Sequence, residues 1–219
     1  MKPQGIIFDL DGVIVDTARF HYIAWKDLAA ELGFDFNEKD NERLKGVSRM
    51  RSLEILLELG GIQVSEEEKL KLAEKKNNHY RQLIETLTPE DILPGAKQFL
   101  YEVKDAGIKV ALGSASKNAM TILKNIGLAY FFDAVVDGTK VTKAKPDPEV
   151  FLIAAQEMGT PPEETIVFED ALAGIEAAHN AGMFAIGVGD KNTLSPADYV
   201  IPGFQNFTLD KLMEVYNKK

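Results

Sequence analysis

An apolar run that stops in two carboxylates and a glycine, Gly5-Ile6-Ile7-Phe8-Asp9-Leu10-Asp11-Gly12-Val13, constrains this chain more than any other stretch. An apolar run of about four to eight residues bounded by breakers suits a parallel-sheet strand covered on both faces. Periodicity alone leaves a buried helix open, and the glycine decides for the strand. Asp9 and Asp11 are two residues apart and share a face in extended geometry. With a turn starting at Gly12, both reach the space beyond the strand's carboxyl end. That crevice is where open α/β sheets bind ligands. Two adjacent carboxylates repel, so the arrangement makes sense chiefly with a cation to neutralise them or a proton on one of them. A hard divalent cation is the simplest candidate. Asp is also at home in turns, and the spacing alone does not separate the reactive reading from a pair that caps the turn.

The rest of the chain supplies the context. At 219 residues it can bury a sizeable core, as one large domain or two small ones. A net charge of -9 leaves no basic stripe to neutralise phosphates in number, so a nucleic-acid surface is not expected. An anionic small molecule remains compatible if a few cations are placed locally. The absence of cysteine removes disulfides, thiolate zinc sites and cysteine nucleophiles together. No apolar stretch is long enough to span a bilayer and no signal-peptide pattern is evident, so the expected setting is cytoplasmic, away from membranes.

After Asp11 the pattern changes. From Asp16 to about Thr88 the spacing predicts helices and no strand. His21 to Leu32 stops at Gly33, Arg49 to Leu59 follows Ser48 and stops at Gly60-Gly61, and a segment opened by a Ser65 to Glu68 capping box runs to Leu87, before Pro89. Strand and helix then alternate: a helix at 96–106, a strand at 108–112, a small-residue turn into a helix, a strand at 134–136, a helix at 149–158, a strand at 165–168, a helix at 172–180, and strands at 184–187 and 199–201. This is a doubly wound, Rossmann-like α/β pattern whose sheet is parallel. The helical block, residues 16–88, reads as an inserted cap between the first strand and the remainder of a core formed by 1–15 and 89–219, hinged at Asp16-Thr17 and Thr88-Pro89.

Polar residues collect at strand ends. Ser114-Ala115-Ser116-Lys117-Asn118 offers hydroxyls and free amides at a helix start, an anion site or merely a cap. Lys145-Pro146 sits in a proline-stiffened loop. Glu169-Asp170 follows Ile166-Val167-Phe168 directly, and a second acidic pair at a second strand end is the discriminating observation. Two acidic pairs, a serine turn and a lysine amount to an oxygen-ligand site for magnesium beside a phosphate cradle. The nucleophile most consistent with this inventory is a carboxylate, giving an aspartyl phosphate.

Phe8-Asp9-Leu10-Asp11-Gly12-Val13-Ile14-Val15-Asp16-Thr17, Ser114-Ala115-Ser116, Lys145-Pro146 and Glu169-Asp170 resemble, in order and across the whole chain, the four motifs of the haloacid dehalogenase-like superfamily. Dehalogenases of that superfamily lack the second aspartate, so Asp11 points to its phosphotransferring branch. The resemblance implies Asp9 as nucleophile, Asp11 as general acid/base, and Ser114 and Lys145 as phosphate ligands, with Ala115, Ser116, Lys117 and Asn118 completing the cradle. It implies one Mg2+ held by Asp9, Asp11 (through its carbonyl), Glu169 and Asp170. His21 to Trp25 and Leu44 to Leu53 resemble the beta-phosphoglucomutase family. By that resemblance Arg49 grips the non-transferring phosphate of a bisphosphorylated sugar. Lys45, Gly46, Val47, Ser48 and Ser52 line the sugar pocket, His21 helps position Asp11, Lys76 lies at the pocket edge, and Thr17 and Trp25 border it. Taken as a helix face, Trp25 reads as lobe core.

The implied activity is isomerisation of beta-glucose 1-phosphate to glucose 6-phosphate, with glucose 1,6-bisphosphate as primer, by a monomer. The rivals are a magnesium-dependent sugar-phosphate or phosphoglycolate phosphatase and a non-catalytic phosphosugar-binding domain.

Overall fold

The computed structural model describes residues 2–44 and 47–218. In chain order, β1 (Gly5–Phe8) is followed by α1 (Ala18–Glu31), α2 (Glu38–Asn41), α3 (Arg49–Gly60) and α4 (Glu66–Ile84). Then come α5 (Ala96–Asp105), β2 (Lys109–Gly113), α6 (Ala119–Asn125), β3 (Ala134–Val136), α7 (Glu149–Met158), β4 (Thr165–Glu169), α8 (Leu172–Asn180), β5 (Phe184–Val188), β6 (Tyr199–Ile201) and α9 (Leu209–Tyr216). The strands form one sheet of order β3-β2-β1-β4-β5-β6, parallel at every pairing. The order reverses beside β1, which places the ends of β1, β2 and β4 together at the crevice expected to bind ligand.

Every residue of β1, β4 and β5 is buried, which is why these strands read as continuous apolar runs and not as alternating ones. Ile6, Phe8, Leu112, Phe168 and Ile186 face one layer, with Phe99 and Val103 of α5, Ile122 and Leu123 of α6, and Leu212 of α9. Phe8 stacks on Phe168 with ring centroids 5.0 Å apart, and both meet Phe204. Ile7, Ala111, Val167 and Ala185 face the other layer, with Phe151 of α7 and Ile175 of α8.

Between β1 and β2 the described residues contain helices and no strand of the sheet, as the spacing predicted. This lobe has its own core of Trp25, Leu28, Leu53, Leu56, Leu57 and Leu72, so the core reading of Trp25 holds. Its base is different: Phe20, Tyr80, Ile84 and Leu87 pack with Ile14 and Val15 of the sheet domain. Val15 bridges both Asp11 and Ile92, and Arg19 pairs with Asp91, which ties the two connecting strands to each other.

Differences from the sequence reading are local. α1 starts at Ala18, one turn before His21, because the turn after Val15 already has helical geometry at Thr17. α4 ends at Ile84, short of Leu87, and Ser65 caps it by accepting from the Glu68 amide. α2 is four residues long, too short for periodicity to register; its signal is the reciprocal Asn37/Asp40 capping box. α9 also went unread, although Thr208 caps it and Leu212 and Tyr216 bury one face at helical spacing.

Candidate active site

The site begins where β1 runs out. The Asp9 amide donates to Phe168 O at 2.9 Å, so the residue keeps strand register with β4 and its carboxylate emerges at the strand end, 6% exposed. The chain then turns on Gly12, whose φ of 78° belongs to the left-handed region and whose amide donates to Val15 O. A Cβ there would sit 2.2 Å from Asp170 Oδ2. Gly12 is therefore what lets the acids of β1 and β4 approach each other. Gly174, in the first turn of α8, does the same for Glu169, since its Cβ would lie 1.9 Å from the Glu169 carboxyl carbon.

Lys145 is buried among these groups. Its Nζ donates to Asp9 Oδ1 at 2.6 Å, to Gly113 O at 3.2 Å and to Glu169 Oε1. Burial lowers the pKa of this amine, but the charges of Asp9 and Glu169 and its hydrogen bonds to them outweigh burial and hold it above its ordinary value. The ammonium is thus permanent. Burial pushes the Glu169 carboxyl up, with Lys145 working against it, and Glu169 Oε2 accepts from the Ala171 amide at 2.9 Å.

Asp11 stands apart from Lys145. Its Oδ1 accepts from the Thr17 hydroxyl, and His21 Nε2 lies 4.0 Å away. Burial first, then the charge of Asp9, raises its pKa to about 6, against the Thr17 hydrogen bond. Such a carboxyl changes protonation readily near neutrality. Burial and the charges of Lys76 and Arg49 hold His21 well below its usual range, so the ring is neutral. Lys76 Nζ sits 2.9 Å from His21 Nδ1. The direction of this bond follows the tautomer: when the Lys76 amine donates, Nδ1 accepts and the ring proton stands on Nε2, toward Asp11.

These groups line one cleft of ≈ 570 Å³ between lobe and sheet. It brings together Asp9, Asp11, Lys145, Glu169 and Asp170 with Ala115, Ser116, Lys117 and Asn118, and across from them His21, Trp25, Val47, Ser48, Arg49, Ser52 and Lys76. Ser114 is not among the lining residues. It is fully buried behind the turn, where its Oγ accepts from the Ser116 amide at 3.1 Å. Thr17 is likewise buried, its hydroxyl directed to Asp11 and not to the cleft. Ser116 does not cap α6; the cap position is Asn118, whose amide the Ser116 hydroxyl accepts from at 3.2 Å. Lys45 and Gly46 lie outside the described residues.

Residues 3–182 match the haloacid dehalogenase-like hydrolase family. This chain belongs to that family. It is 44% identical over 217 residues to the beta-phosphoglucomutase of Bacillus subtilis, covering 98% of this chain and 96% of that protein. The crystal structure of a beta-phosphoglucomutase from Clostridium difficile superposes with a TM-score of 0.94 at 45% identity, over 100% of this chain and 98% of that one. The fructose-1-phosphate phosphatase YqaB of Escherichia coli is 35% identical, over 85% of this chain and 97% of that protein.

Phosphomutases of the haloacid dehalogenase-like family use Mg2+. Among the described residues no three His, Cys, Asp or Glu side chains close into a cage. The donors at the strand ends are all oxygens, four carboxylates against one buried ammonium, and Gly12 brings Asp170 up to the Asp9 to Asp11 turn. An open, oxygen-only, negatively charged site fits a hard cation that keeps water and phosphate as its remaining ligands.

Among the cleft residues that escaped the sequence reading are Glu74, Asn77 and Tyr80. All three lie on α4 within a turn of Lys76, which had been singled out, so helical spacing from that residue was the available signal. Asn118 Nδ2 donates to Asn77 Oδ1 at 3.0 Å, a direct bond from sheet domain to lobe. Glu74 pairs with Arg49 at 3.5 Å.

Proposed function

We propose that this chain is a Mg2+-dependent beta-phosphoglucomutase, converting beta-D-glucose 1-phosphate to glucose 6-phosphate through beta-glucose 1,6-bisphosphate and a phosphorylated Asp9. The observation that carries the reading is the division of labour between two aspartates two residues apart. Asp9 is fixed by the Lys145 ammonium, while Asp11, its pKa raised to about 6, is bound by the Thr17 hydroxyl and faced by the His21 and Lys76 pair of the lobe. The likeness to the two beta-phosphoglucomutases supports the substrate.

In this mechanism an Asp9 oxygen attacks the phosphorus of the bound bisphosphate, forming the acyl phosphate as the bond to the sugar oxygen breaks. Asp11 hands its proton to that leaving oxygen. Lys145 balances negative charge on the transferring group, joined by the amides of the turn 114–118. When the 1-phosphate is the group given up, the product is glucose 6-phosphate, which leaves; a beta-glucose 1-phosphate then presents its 6-hydroxyl, Asp11 takes that proton back, and the phosphoryl group passes from Asp9 to that oxygen, regenerating the bisphosphate, which turns for the next transfer. Glucose 1,6-bisphosphate primes the cycle. Asp9, Asp11 through its carbonyl, Glu169 and Asp170 would hold Mg2+. When bound, the cation draws charge from the phosphoryl oxygens.

Residues 16–88 act as a cap on a core of 1–15 and 89–219, and Arg49, with Val47, Ser48 and Ser52 beside it, takes the distal phosphate and sugar. No helix among the described residues is long and apolar enough to cross a membrane; a cytoplasmic monomer is part of the same reading. The second reading is a sugar-phosphate phosphatase, favoured by the likeness to the Escherichia coli enzyme. A coupled assay for glucose 6-phosphate from beta-glucose 1-phosphate, with a trace of bisphosphate, separates them: the mutase forms glucose 6-phosphate faster than it releases inorganic phosphate, and the reverse order establishes the phosphatase.

A further inference from the structure

Among the described residues one buried side-chain polar atom has no hydrogen-bond partner, the hydroxyl oxygen of Tyr80. The residue is 1% exposed and stands in the wall of the cleft. Buried polar groups are nearly always paired, and an unpaired one calls for a reason. Packing supplies none. Tyr80 lies at the base of the lobe among Phe20, Ile84 and Leu87, where a phenylalanine would bury the same ring without stranding a hydroxyl.

Its neighbours supply one. The ring stacks on His21, centroids 4.0 Å apart and planes at 27°, and Lys76 Nζ lies 4.8 Å from the ring centre. Tyr80 therefore backs the His21 and Lys76 pair that faces Asp11. Burial, and behind it the charge of Asp11, pushes the Tyr80 hydroxyl well above its ordinary pKa, so it stays a proton donor. The Thr17 hydroxyl donates to Asp11 Oδ1, and the Tyr80 hydroxyl lies within hydrogen-bonding range of both Thr17 and Asp11 without completing a well-formed bond to either; His21 Nε2 at 4.0 Å is beyond hydrogen-bond reach.

We propose that Tyr80 is a positioning residue for Asp11, its O–H donating to the Asp11 carboxylate during turnover and holding it over the cleft. This rests on the acid/base role given to Asp11 above. When Asp11 passes its proton to the leaving sugar oxygen, it becomes a carboxylate in a half-buried site with only the Thr17 hydroxyl fully bonded to it. A hydroxyl proton reorients by rotation about its C–O bond, with no backbone movement, so the second donor is already in place. The unpaired hydroxyl of the resting protein is then a preorganised dipole aimed at charge that develops only in the reaction.

Tyr80→Phe in the full-length chain tests this by two independent readouts. Without substrate the thermal midpoint should equal or exceed that of the parent protein, because the substitution removes a stranded polar atom. At saturating beta-glucose 1-phosphate kcat should fall by about tenfold or more with KM within about twofold, the signature of a lost contact made beyond substrate binding. A kcat within about twofold of the parent, or a midpoint lowered by several degrees with KM rising in step, overturns the proposal and makes the hydroxyl structural. If the parent protein releases phosphate and forms no glucose 6-phosphate, it is the mutase reading that fails. The same split in kcat and KM is then read on phosphate release, and Tyr80 is judged there.

Discussion

Lys76 shows how a single side chain in this cleft trades stability for chemistry. It is 3% exposed, with its Nζ 4.5 Å from the ring centre of Trp25. Burial first, then the charge of Arg49, lowers its pKa to about 7 from 10.5, with Asp11 opposing. Between those values the native state binds fewer protons than the unfolded chain, so this group's contribution to stability rises with pH across the window and is least favourable below pH 7. At about 1.4 kcal/mol per pH unit, the full charging cost is on the order of 5 kcal/mol. Lys76→Met should therefore raise the thermal midpoint most at pH 6, with the gain shrinking toward pH 10.5, while mutase turnover falls by about tenfold or more. A gain that does not vary with pH would show that the amine is not desolvated as described. Asp9→Ala gives the complementary result. The fold should persist, and turnover should drop by many orders of magnitude as the covalent step disappears. Bisphosphate-dependent turnover in a clean preparation of that variant would sink the covalent mechanism. Asp9, Asp11 and Lys145 stood out in the sequence at strand ends and loops, where a turn cap or a solvated lysine stayed open, and Arg49 came from the family resemblance, whereas Tyr80 reads there as one more apolar position on a helix.

At the scale of elements, α8 supports the site by what its first turn lacks. Gly174 leaves room for Glu169, and Glu169 in turn anchors Lys145. Gly174→Ala should raise helix propensity by about 1 kcal/mol and yet displace the Glu169 carboxyl. The expected result is a higher magnesium requirement and a mutase rate lower by about tenfold or more, with circular dichroism unchanged. Unaltered magnesium dependence would mean that Glu169 moves aside without consequence. The buried sheet strands and α7 and α8 were readable because buried parallel strands are unbroken apolar runs and the two helices stop at Gly159 and just before Gly182. α2 was not, since four polar residues carry no periodicity, and Gly174 was not, since its reason is a contact with β4 that helical spacing does not encode.

At the scale of the whole molecule, the lobe and sheet meet across the cleft through Asn77 and Asn118, with Arg49 on the lobe side paired to Glu74. A mutase must keep water from its aspartyl phosphate until the next sugar monophosphate takes the group, so the binding energy of the distal phosphate is best used to close the lobe. Arg49→Ala should lower mutase turnover much more than slow phosphate release, and Arg49→Lys should rescue only in part, because a bidentate contact is lost. Equal losses in the two rates would mean the lobe does not gate through Arg49. By itself the sequence determined the layered α/β core, the helical insert and the strand-end chemistry, because burial patterns, caps and paired carboxylates are local properties that a chain displays in order. Only the tertiary structure decided which donor serves which acid. Lys145 reaches Asp9 across 136 residues and Lys76 reaches His21 across 55, while the Ser114 hydroxyl accepts from the Ser116 amide and the Thr17 hydroxyl donates to Asp11. Such contacts depend on how β1, β2 and β4 align and how α4 lies over them, and no spacing within one segment records that.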